Sequence, residues 1–183
     1  MRTLVALLRG INVGGKSRVP MAELRSTLES LGLEDVTTYI QSGNVVCRSR
    51  TAGTPALASR IERRIRKDFG LDVAVLLRTP TELAKVVKSN PFVRAGADPA
   101  KLHVVFMDSV PTRKAVAGLD PERSARDEFE LRGREIYLHL PNGFGRSKLT
   151  IDYFERRLGV RATARNWKTV NKLIALGNAA AGR

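Results

Sequence analysis

Leu8 to Ser17 reads LRGINVGGKS, and the fold depends on how that stretch is taken. Within it, Gly10 to Ser17 (GINVGGKS) matches G-x-x-x-x-G-K-[ST], the phosphate-binding loop of nucleotide hydrolases. Further along, Val104 to Asp108 (VVFMD) resembles the apolar strand whose final Asp helps hold magnesium in such enzymes. Taken literally, the two would predict a parallel, doubly wound sheet. The neighbouring residues argue otherwise. In a true phosphate-binding loop the Lys-Ser pair sits in the first helical turn, where amides and helix dipole face the phosphates. Here Pro20 lies four residues past Lys16. Proline has no N–H to give that carbonyl, and its ring would clash there. The helix therefore begins at Val19 or Pro20, and Lys16 and Ser17 stay outside it.

Reading outward from this loop gives the order of elements. Thr3 to Leu8 (TLVALL) is a short apolar run and predicts a buried strand. Met21, Leu24, Leu28 and Leu31 recur at helical spacing up to Gly32. Val36 to Ile40 and Val45 to Arg48 predict a hairpin around the turn Gln41-Ser42-Gly43-Asn44, with Gly43 at positive φ. Ala56 to Phe69 predicts a helix ended by Gly70, and Val73 to Leu77 a strand. This is βαββαβ, the ferredoxin-like order.

After a short helix over Thr81 to Lys88, the pattern restarts. It runs through a strand at Leu102 to Met107, a weak helix at Thr112 to Gly118 and a hairpin around Gly133. Next come a helix from Ser147, as N-cap, to Leu158, and a last helix over Arg165 to Leu176. The expected fold is α+β: two ferredoxin-like halves with antiparallel sheets, residues 1–78 and 79–183, plus a C-terminal helix. The duplication rests on element order, because no sequence identity between the halves is evident.

Composition narrows the function classes. No apolar run approaches the ~20 residues of a membrane span, so no membrane partner is expected. MRTLVALLRG at the start reads as a first strand, because its apolar run is short, lacks a small-residue cleavage site and is broken at Arg9. The single cysteine, Cys47, forms no intrachain disulfide and argues against a thiolate zinc site. Together these predict a cytoplasmic protein. The net charge of +14, from 32 Lys and Arg against 18 Asp and Glu, favours phosphate-rich partners such as a nucleotide or nucleic acid. Its densest stretch is Arg146 to Lys172, with eight basic residues against Asp152 and Glu155.

Four motifs stand in one order along the chain. They are LRGINVGG, TYIQSGNVV (Thr38 to Val46), NPF (Asn90 to Phe92) and RNWKTVNKL (Arg165 to Leu173). Together they resemble the bacterial proteins of domain-of-unknown-function family 1697, over essentially the whole chain. The last motif departs from the family's more frequent TTRNWNT, with Ala164 and Lys168 at two of its places. The resemblance implies two ferredoxin-like halves and, the family being uncharacterised, no activity.

The candidate ligand-binding residues come from these motifs. Arg9, Lys16, Lys148 and Arg165 supply charge, with Lys148 and Arg165 expected in first helical turns. Asn12, Gln41, Ser42, Asn44 and Asn166 supply directional hydrogen bonds. Gly10, Gly14 and Gly15 supply open backbone amides, and Trp167 a stacking surface or, by default, core. In a ferredoxin-like half the first loop and the hairpin tip are expected at opposite ends of the second strand, so a common site would need the second half to bridge them. No metal site and no cofactor are called for. His103 and His139 lie within strands, Cys47 has no nearby His or Asp in sequence, and no catalytic constellation stands out. The leading reading is a binder of an anionic ligand. A small enzyme for a phosphorylated or carboxylated metabolite and an interaction module are the alternatives. RNA binding across the sheet face is disfavoured, because LVALLR and NVVCR carry no aromatic to stack a base.

Overall fold

The computed structural model describes residues 1–12, 18–51 and 54–182. The chain forms two compact units, Met1–Lys85 with Lys172–Arg183, and Val86–Asn171.

The first unit contains β1 (Arg2–Leu8), α1 (Met21–Glu29), β2 (Glu34–Tyr39), β3 (Asn44–Ser49), α2 (Pro55–Phe69) and β4 (Val75–Arg78). Its antiparallel sheet has the order β2-β3-β1-β4, the ferredoxin-like arrangement. Leu4, Ala6 and Leu8 of β1 join Val45 and Cys47 of β3 in a core with Leu24 and Leu28 of α1 and Leu57, Ile61 and Ile65 of α2. The period-two pattern of the strands and the helical spacing of the leucines bring these residues to one side. Each fully buried Leu or Ile stabilises the fold by roughly 1.5–3 kcal/mol. The alternate residues Val5, Leu7, Val46 and Leu76 are also buried, so both sheet faces are closed.

The chain continues through α3 (Pro80–Lys88) and the single turn α4 (Pro91–Arg94). Thr79 and Glu82 bond each other's backbone N–H at the start of α3, a capping box. Asn90 caps α4 in the same spirit, its Oδ1 accepting from Phe92 N at 3.0 Å. The second unit then repeats the plan: β5 (Leu102–Met107), α5 (Arg113–Ala117), β6 (Glu128–Arg132), β7 (Glu135–His139), α6 (Ile151–Leu158) and β8 (Ala162–Asn166), with sheet order β6-β7-β5-β8. The helix α7 (Trp167–Ala181) follows directly.

Three local expectations are corrected. Arg165 lies on a strand, because residues 162–166 pair with β5 from Met107↔Ala162 to His103↔Asn166. Alanine and arginine favour helix locally, and the vacant edge of the sheet overrides that preference. The helix α6 starts at Ile151, with Thr150 as its N-cap; Ser147 Oγ accepts instead from Leu149 N at 3.0 Å. Ile40 is not a strand residue: β2 ends at Tyr39 and Ile40 takes φ +48°.

Candidate functional site

The end of β1 and the β2–β3 tip meet directly. Antiparallel pairing places Leu7 opposite Asn44, so the chain leaves β1 and enters β3 at the same edge. Leu8 N donates to Gly43 O at 2.8 Å, and Arg9 N to Ala74 O at 2.9 Å. Three loops of the first unit, those after β1, between β2 and β3, and before β4, therefore share one end of one sheet. The expectation that the first two lie apart is overturned. No residue of the second half is needed to bring them together.

Gly43 is the seat of that junction. Its φ is +74°, and a Cβ there would lie 2.8 Å from Leu8 Cβ and 3.0 Å from Leu8 O. Only glycine fits both the conformation and the space. Asn44 is fully buried and closes the turn, its Nδ2 donating to Ser42 Oγ at 3.0 Å and Tyr39 O at 3.3 Å. Gln41 is exposed and Ser42 half-buried.

Across from it, Asn12 clamps its own loop. Its Oδ1 accepts from Val19 N at 2.8 Å and its Nδ2 donates to Val19 O at 3.0 Å. The two bonds fix where the chain returns before α1. Gly14, Gly15 and Lys16 lie outside the described residues. The helix begins at Met21, after Pro20 in an extended conformation, in keeping with the argument against a nucleotide-hydrolase loop.

Both loops contain backbone in the left-handed region. Gly10 (+69°), Asn12 (+57°), Ile40 (+48°) and Gly43 (+74°) all belong to these two loops. Glycine and asparagine adopt this region readily. Isoleucine does so at about 1–2 kcal/mol, and Ile40 is also 51% exposed. The sequence pattern hides this residue, because an apolar β-branched side chain beside Tyr39 reads as the continuation of a strand.

The candidates from the second half of the chain lie before α6, on β8 and at the start of α7. Lys148 is exposed, and its backbone is tied down: its N–H donates to Ser124 Oγ at 3.1 Å and its carbonyl accepts from Arg123 Nε at 2.9 Å. Neither Lys148 nor Arg165 stands in a first helical turn. Arg165 is buried and donates to Thr163 Oγ1 at 2.8 Å and Ala164 O at 2.6 Å. Burial brings its guanidinium pKa down to about 10. Asn166 Oδ1 accepts from Thr169 N at 2.8 Å at the start of α7, and Trp167 is buried.

Several polar and titratable groups elsewhere in the chain are accounted for by their surroundings. Asp108 is held by Arg161, whose N–H and Nε reach its carboxylate at 3.1 and 3.0 Å. Burial pushes its pKa up, but these bonds and that of Ser109 outweigh burial and hold it below the usual carboxylate range. Burial pushes the Cys47 thiol up to about 12, an unreactive state. His139 Nδ1 lies 2.8 Å from Glu128 Oε1. Phe92, Pro121, Arg126, Phe129 and several carboxylates line an open cleft of about 550 Å³ beside β6. Among the described residues no three His, Cys, Asp or Glu side chains form a metal-binding group, and no helix is long and apolar enough to cross a membrane.

Comparison with known proteins agrees with this architecture. Residues 1–137 match the model of a family described as "Protein of unknown function (DUF1697)". The chain belongs to this family. Among solved structures it is similar to the conserved bacterial protein SP0830 from Streptococcus pneumoniae, at 25% identity and a TM-score of 0.72, over 94% of this chain and 97% of that one. No curated protein matches it.

Proposed function

We propose that this DUF1697 protein binds an anionic ligand, a nucleotide or nucleic acid, at the loop-built end of its first sheet. The observation that carries the reading is the junction of three loops through Leu8–Gly43 and Arg9–Ala74. It gathers a basic residue, left-handed backbone and the polar tip of the hairpin at one edge. Arg9 supplies charge, with Lys16 further along the same sequence motif, while Gly10 and the Gln41–Ser42 tip offer hydrogen-bond donors. Asn12 and Asn44 shape the loops through the bonds above. Both faces of the sheet are closed, which leaves loops as the route to a ligand. A single buried cysteine with no disulfide fits a cytoplasmic setting.

Titration with adenosine 5′-monophosphate and with a short single-stranded oligonucleotide tests the reading. Binding weakens as salt rises, because counterions are released from phosphate, and Arg9→Ala lowers affinity about tenfold, the scale of one charge-assisted contact. Binding that ignores both salt and Arg9 would show the junction to be only a turn.

A further inference from the structure

We propose that Ile40 is the apolar contact for the ligand's ring, so the ligand is a phosphate attached to a planar base and not a bare anion. The inference rests on the anion-binding reading above and adds the second chemical group.

The hairpin tip of the second unit supplies a contrast. Tyr39 pairs with Asn44 at the end of the first hairpin, and Arg132 with Glu135 at the end of the second. The residue after each is in the left-handed region: Ile40 at +48° and Gly133 at +60°. One backbone conformation is thus occupied by isoleucine in one half and glycine in the other. The two tips differ in length, four residues against two, but glycine and asparagine adopt left-handed backbone without the strain that isoleucine bears, so the conformation does not explain the isoleucine. Packing does not explain it either, since half of the side chain is in solvent. A strained, solvent-exposed apolar residue stands between Tyr39 and the polar Gln41-Ser42 pair, on the tip that Gly43 seats against β1. Strain kept where the fold does not require it is a mark of functional loops. An aliphatic side chain beside hydrogen-bonding groups matches a ligand with an apolar face next to a charged group.

The test compares three phosphates on wild type and Ile40→Gly by calorimetric titration: adenosine 5′-monophosphate, ribose 5-phosphate and inorganic phosphate. Ile40→Gly is expected to fold, because glycine adopts a φ of +48° without strain, and its Tm is expected to rise. Ile40→Asn, also tolerant of this conformation, is a second variant that keeps the backbone and removes the apolar surface. In wild type the nucleotide binds about five- to tenfold more tightly than ribose 5-phosphate, the scale of one half-buried aliphatic contact. In both variants that preference disappears while the affinity for inorganic phosphate is unchanged. A 5′-phosphorylated tetra-adenylate run alongside separates the two sources of such a group: tighter binding than the mononucleotide points to nucleic acid, equal binding to free nucleotide. Equal preference in wild type and variants, with phosphate still bound, overturns the role of Ile40 alone. If wild type binds none of the three, the anion reading falls and this inference falls with it.

Discussion

The corresponding ends of the two sheets are built on the same bonds and finished differently. Leu8 N–Gly43 O and Arg9 N–Ala74 O in the first unit match Met107 N–Arg134 O and Asp108 N–Arg161 O in the second. The second end is sealed by its own ion pair, Asp108 with Arg161, and a short tip, Gly133-Arg134. The first has Arg9 and Ala74 at those places, a four-residue tip from Ile40 to Gly43 and a longer connection to its helix. One plan has thus been closed with a salt bridge in one copy and opened into loops in the other. An end that seals itself needs only its fold. The other end, with its longer loops and left-handed backbone, is the one on which the proposed ligand site rests.

The sharpest way to break the comparison is at the two tip glycines. Gly43→Ala places a methyl 2.8 Å from Leu8 Cβ at a φ of +74°, and is expected to lower stability by ~3 kcal/mol or more. Gly133→Ala meets nothing within 4 Å and bears only the strain of φ +60°, about 1 kcal/mol. Urea unfolding of both variants measures the gap. Equal losses would mean that the first tip is not seated against β1.

The next test addresses the seal. Arg161→Ala removes the charged partner of a part-buried carboxylate and is expected to cost about 1–2 kcal/mol. The pH dependence has a definite sign. The folded Asp108 carboxyl titrates below its ordinary 3.8, so its contribution is present above that pH and is lost as pH falls through the lower, folded value. Asp108→Asn should remove this part of the acid transition. An unchanged transition would show that the pair does not hold the end together.

In the open end the comparable device is Asn12. Asn12→Ala removes both bonds to Val19, at about 1 kcal/mol. The more telling readout is hydrogen exchange at the Val19 amide, expected to quicken about tenfold. Unchanged exchange would mean that the loop is held by other groups.

How much of this was legible in the sequence follows from the range of each signal. The βαββαβ order and the end of α2 at Gly70 could be read because periodicity and glycine stops are local. The strand β8 could not, since its pairing with β5 is set across the fold. The duplication was visible only as element order, yet particular residues repeat it. Glu62 Oε1 accepts from Val75 N at 2.9 Å, and Glu155 Oε1 from Ala162 N at 2.8 Å, each at the first residue of the last strand of its sheet. Arg78 opposite Val5 and Arg165 opposite Val104 are a second such pair, both buried. A Glu and an Arg per half are too sparse to register as sequence identity. At the candidate site, Arg9, Gly43 and Asn44 could be read from charge and turn chemistry. The meeting of their loops and the left-handed Ile40 could not, because both depend on strand register and on where β2 stops.

The smallest effect tests the comparison inside the sheets. The registers Leu4↔Cys47 and His103↔Leu138 place His103 where the first half has Leu4. Burial lowers the pKa of His103 from 6.5, and its bond to the Lys101 backbone works the other way without cancelling the shift. Its Nδ1 is buried without a hydrogen-bond partner among the described residues, and its ring lies 5.1 Å from that of Phe144. A histidine kept neutral by burial contributes stability above pH 6.5, lost as the pH falls through its depressed folded value. Partial exposure to water limits the loss to about 0.5 kcal/mol. His103→Leu makes the second sheet resemble the first at this position. The variant should unfold at the same urea concentration at pH 7.5 and pH 5.5, while wild type unfolds earlier at the lower pH. If both proteins lose the same amount, the acid sensitivity of the second half lies elsewhere, and His103 is as passive in its sheet as Leu4 is in the other.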